Sequence, residues 1–89
     1  MNLAAYGCAP NVVWSIERRG IRLLNTGSRA LQMIPYPQAA IWELVCRHVP
    51  IVPEKMAAIA GIPPADVERL VSESVEQWLR DGFLQEAGR

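Results

Sequence analysis

The sequence predicts an α+β fold, in which a three-stranded antiparallel sheet is followed by a three-helix winged helix-turn-helix core. Two observations predict it. Residues 12–34 hold three short apolar segments separated by turn residues, and residues 37–81 show helical periodicity punctuated by prolines. The 89 residues make one small domain with nine acidic and nine basic side chains. This balance of charge selects neither nucleic acid nor a membrane as a partner.

The sheet is predicted from three strands over residues 12–19, 21–24 and 29–34. Gly20 and the Asn25-Thr26-Gly27 segment supply the two tight turns, so the strands form an antiparallel meander. Four arginines against one glutamate make the meander basic. Either a solvated face or a docking surface for an acidic segment would explain this charge.

Three helices are predicted over residues 37–48, 53–60 and 64–81, each with a proline at or near its start. The third helix carries an apolar stripe at three-and-four spacing, which predicts a core face. Residues 12–84 therefore form the domain. Residues 1–11 are expected to be a flexible arm, and residues 85–89 a C-terminal tail.

A helix-turn-helix is predicted from the spacing of Ala57, Gly61, Ile62 and Val67. The small alanine lets the two helices approach, and the glycine supplies a turn with positive φ. Isoleucine and valine then fill the angle between the helices. Gly82 is expected to end the third helix in a left-handed cap.

No catalytic, cofactor or metal site is predicted. The single histidine, His48, stands alone, and Cys8 and Cys46 lie far apart without a CxxC motif. No nucleophile has a base at an interpretable spacing. The sequence has neither a signal peptide nor an apolar run long enough for a membrane span, so we expect a cytoplasmic protein with reduced thiols.

A winged helix could bind DNA as a regulator, but the charges argue against this alternative. Residues 50–81 carry six acidic and three basic side chains, and Asp66 and Glu68 lie at the leading end of the third helix. These carboxylates would face DNA phosphates and lose the electrostatic attraction on which most affinity depends.

The segment QAAIWELV at 38–45, preceded by ALQMI and followed by a helix-turn-helix ending in WLRDGFL, resembles the PqqD-like family. These domains recognise the precursors of ribosomally made, modified peptides, and the resemblance covers Val12 to Leu84. It implies a non-catalytic peptide chaperone on a winged-helix fold. The leader of the precursor peptide would add as a strand to the third strand and lie against the third helix. The partner would then be a modifying enzyme, often a radical SAM protein, in the synthesis of PQQ or another peptide-derived product.

The resemblance also implies a binding site. The residues carried over are Arg29, Ala30, Leu31, Gln32, Met33, Ile34, Val67, Arg69, Leu70, Val71 and Ser74. Backbone groups of the strand would pair with the peptide, the helical residues would form the groove wall, and the two arginines would meet acidic residues at the rim. Alternatively, at least one of the apolar helical residues belongs to the core, or the open strand pairs with a second copy in a homo-oligomer.

Overall fold

The computed structural model describes residues 5–86. Its elements in chain order are β1 (Tyr6–Cys8), β2 (Val12–Glu17), β3 (Gly20–Asn25), β4 (Leu31–Pro35), α1 (Gln38–Cys46), α2 (Pro53–Ala60), α3 (Val67–Arg80) and β5 (Leu84–Glu86), with a short 3-10 turn at Pro64–Asp66 before α3. The α+β class predicted from the sequence is confirmed. Among the described residues, no helix is both long and apolar enough to cross a membrane.

The three predicted strands form an antiparallel sheet in the order β2-β3-β4. Ile21 lies between Ile16 and Ile34, and Leu23 lies between Trp14 and Gln32. The turn from β2 to β3 requires a glycine, because a Cβ at Gly20 would overlap the carbonyl oxygen of Ile34 in β4.

The helix-turn-helix is built as its spacing predicts. Gly61 ends α2 with φ at 69°, in the left-handed region, and its amide donates to the Ala57 carbonyl at 2.8 Å. Val67 at the start of α3 is fully buried. Gly82 ends α3 with φ at 80°, and the Phe83 amide donates to the Trp78 carbonyl at 2.9 Å.

The core lies between the inner face of the sheet and the three helices, and tryptophans connect its layers. Trp42 of α1 is fully buried. Its ring stands edge-on to Trp14 of β2, with centroids 6.5 Å apart, and to Trp78 of α3, with centroids 5.2 Å apart. Such edge-to-face pairs are favourable beyond the area that they bury. Sheet, α1 and α3 are therefore fixed relative to one another.

A second, two-stranded sheet differs from the flexible arm and tail expected at the two ends of the domain. Strand β1 pairs antiparallel with β5, so that Tyr6 lies opposite Glu86 and Cys8 opposite Leu84. The partners are far apart in sequence, and three-residue strands are too short to show an alternating pattern. The remaining parts of the predicted arm and tail, residues 1–4 and 87–89, lie outside the described residues.

Candidate functional site

Strand β4 is an edge strand: among residues 5–86 only β3 pairs with it. The Asn25 amide donates to the Ala30 carbonyl at 2.9 Å, which fixes the phase of the ladder. Because backbone groups alternate in direction along an antiparallel strand, those of Leu31 and Met33 point away from β3. These amide and carbonyl groups form an open edge that can accept another strand.

The side chains of β4 alternate between the two faces of the sheet. Ile34 is buried in the core and Gln32 is half-buried on the same inner face. Leu31 and Met33 lie on the outer face, where 63% and 45% of their surfaces are exposed. Of the three strand residues predicted for the groove, Leu31, Gln32 and Met33, only Gln32 turns its side chain towards the helices.

A cavity of about 300 Å³ lies between β4 and α3. Its wall is part apolar and part hydrogen-bonding, which suits a peptide side chain flanked by its own polar backbone. The lining residues are Gln32, Ile34, Pro35, Gln38, Leu70, Glu73, Ser74, Gln77 and Trp78.

One face of α3 forms the helical wall of this cavity. Leu70, Ser74 and Trp78 follow one another at intervals of one turn, and Glu73 and Gln77 lie beside them. Of these five, only Leu70 and Ser74 were predicted from the sequence. The three-and-four spacing continued from Leu70 would have found the others.

Val67 and Val71 do not line the cavity, which corrects their predicted place in the groove. Both side chains are fully buried in the core. Their side chains pack inside the core instead, and neither is among the residues that line the cavity. The expectation that at least one of these apolar residues is a core residue is confirmed.

The two predicted rim arginines lie in different places. Arg69 lines an adjoining cavity of about 330 Å³, which shares Gln38, Leu70 and Glu73 with the first. Arg29 lies in the exposed turn between β3 and β4, with φ at 65°, and lines neither cavity. Only Arg69 therefore lies close to the cavities beside α3. Glu73, one helical turn further on, places the opposite charge in both cavities.

The two cysteines form a separate cluster. Cys8 in β1 and Cys46 in α1 are both half-buried against the core, and the Cys8 thiol donates a hydrogen bond to the Val12 carbonyl over 3.8 Å. Burial and, second, the charge of the neighbouring Cys8 raise the pKa of Cys46 from 9.0 to about 12. Burial also raises the pKa of Cys8. Within residues 5–86, no three histidine, cysteine or acidic side chains are grouped so that they could hold a metal ion.

One of the comparisons with known proteins supports the fold. No protein-family model matches the chain, and no curated protein matches it. Among solved structures, the chain is similar to lasso peptide synthetase B1 complexed with the leader peptide, with a TM-score of 0.75. The match covers 92% of this chain and 99% of the other at 17% sequence identity. At this identity the likeness shows a shared fold.

Proposed function

We propose that this protein is a non-catalytic binding domain that captures the leader of a ribosomally made precursor peptide as an added strand on β4. One observation carries the proposal: the open backbone groups of Leu31 and Met33 run alongside a cavity walled by α3. Strand addition gives affinity through main-chain hydrogen bonds, and a neighbouring cavity gives selectivity through side chains.

The structural likeness supports the same function. The similar protein was solved with a leader peptide bound, and it shares nearly its whole length with this chain. The finer assignment, a PqqD-like domain that presents its peptide to a radical SAM or other modifying enzyme in the cytoplasm, rests on the sequence resemblance. In this role the domain performs no chemistry and needs no cofactor.

The test is a titration of ¹⁵N-labelled protein with synthetic leader peptides from precursors encoded beside its gene. We expect amide shifts to concentrate at residues 31–34 of β4 and 70–78 of α3. Shifts confined to other surfaces, or none with any leader, would contradict the proposal. Precursors encoded beside a radical SAM enzyme would support that partner.

Two other functions are separated by simple measurements. A homo-oligomer that closes the β4 edge with its own copy would show a mass that rises with concentration in light scattering, and added leader would lower it. A DNA-binding domain would retard duplex DNA in a mobility-shift assay at low salt. We expect a monomer. We also expect no mobility shift of duplex DNA, because the carboxylates of Asp66 and Glu68 lie at the start of α3 and repel phosphates.

A further inference from the structure

The outer face of the sheet carries an apolar surface that reaches the open edge. Val13, Leu24 and Leu31 lie side by side across β2, β3 and β4, in one cross-strand row. Their exposed fractions are 60%, 38% and 63%, and Met33, in the next row of β4, is 45% exposed. The water-facing side of an antiparallel sheet ordinarily carries polar side chains, so this apolar row needs an explanation.

The position of Leu31 and Met33 identifies what can cover them. Both residues belong to the strand whose backbone is open, and both point their free amide and carbonyl groups outwards. A strand that pairs with this edge places every second side chain directly beside theirs, on the outer face. Its intervening side chains turn inwards, towards the cavity lined by Ile34, Leu70 and Ser74.

From this geometry we infer that the bound peptide segment is a continuous apolar run of about four residues, read on both faces of the added strand. The inference rests on the proposed function and specifies its ligand. Inward side chains fill the cavity, while outward side chains extend the row of Val13, Leu24 and Leu31. Leu31 and Met33 are then specificity-determining residues, through side chains that lie outside the groove. An alternating segment, apolar only towards the cavity, would leave both exposed.

The test is selection of random dodecapeptides by phage display on the wild-type domain and on variants. The wild type is expected to enrich continuous apolar runs. Leu31→Ser should retain apolar enrichment at alternate, inward positions and lose it at the outward ones. It should also weaken binding of a wild-type-selected peptide about tenfold, because one leucine contact is lost. Val13→Ser, in the same row but at the opposite edge of the sheet, is the matched control and should select as the wild type does.

The outcomes separate the two proposals. If the wild type selects strictly alternating peptides, or if Leu31→Ser and Met33→Ser select as the wild type does, two-faced recognition is overturned while capture on β4 stands. If the selected peptides bind equally well when the cavity is filled by Ser74→Leu, inward recognition is absent and two-faced recognition is again overturned. If they bind Met33→Pro, which lacks an outward amide of β4, as well as they bind the wild type, capture on β4 itself is overturned. If the two outer-face variants instead abolish self-association in sedimentation, the face is an interface between copies and the inference fails. Circular dichroism verifies that each variant is folded.

Discussion

The Ser74 hydroxyl donates a hydrogen bond to the Leu70 carbonyl one turn earlier in α3, over 2.8 Å. This contact satisfies the hydroxyl within the helix, so it needs no partner across the cavity. The small side chain leaves open the space between α3 and β4. A serine at this position therefore leaves the cavity open and keeps its own hydroxyl hydrogen-bonded.

Filling the cavity should block the site. Ser74→Leu places a larger side chain between α3 and β4, and we expect at least a tenfold loss in affinity for a labelled leader peptide in fluorescence anisotropy, with the thermal midpoint retained. Ser72→Leu makes the same change on an exposed position of α3 and is the control. Equal affinities for Ser74→Leu and Ser72→Leu would remove the cavity from the binding site.

Removing one outward amide should weaken strand addition. Met33→Pro deletes a donor that faces away from β3, so the existing sheet keeps its hydrogen bonds. Ile16→Pro is the matched control, because the Thr26 amide bond to the Asn11 carbonyl places the Ile16 amide on the other free edge. We expect at least a tenfold loss in leader affinity for the first and less than twofold for the second. Similar losses in both would indicate that the β4 edge has no special role.

The β2–β3 turn should tolerate no side chain at its buried glycine. Gly20→Ala drives a Cβ into the Ile34 carbonyl, and we expect a loss of about 3 kcal/mol or more in the free energy of unfolding by urea. Gly61→Ala meets no neighbouring atom but keeps a positive φ, so its cost should be about 1 to 2 kcal/mol. The opposite order of the two variants would contradict the close approach of β3 and β4 at this turn.

The half-buried Cys46 thiol should react slowly and make the stability of the protein depend on alkaline pH. The pKa of Cys46 is about 12 in the folded protein against 9.0 ordinarily, so its iodoacetamide alkylation at pH 8 should be on the order of 100 to 1000 times slower than that of an exposed thiol. The unfolded thiol loses its proton first. The stabilisation is therefore complete below pH 9 and is lost as the pH rises towards 12. Urea denaturation of Cys46→Ala should show a shallower fall over this range, and an unchanged slope would contradict the shifted pKa.

Much of the fold is predictable because single residues fix its turning points. Gly61 and Gly82 mark helix ends that require positive φ, and the turns around Gly20 and Asn25 separate three strands. The β1–β5 pair is not predictable in this way, because its strands are short and its partners distant in sequence. Nothing in residues 6–8 or 84–86 alone indicates the other segment.

The site is only partly predictable for a related reason. A strand with Leu31, Met33 and Ile34 is apolar on both faces, so its sequence does not say which face meets the core. The register with β3 decides it, by placing Ile34 inside. On α3, the sequence shows an apolar stripe but does not separate its buried part from the part left uncovered by β4. How much of the stripe is buried depends on how β4 and α1 pack against α3 in the folded protein, which the sequence of α3 alone does not determine.

The pairing of Tyr6 with Glu86 brings the entry and exit of the domain to the same spot. Neither β1 nor β5 lines the cavity beside β4. Because its two ends are adjacent, the domain could be inserted into a surface loop of a larger polypeptide through a single connection point. The cavity beside β4 would then remain accessible. An enzyme that contained the domain at such a site would hold its peptide substrate through one covalent attachment point.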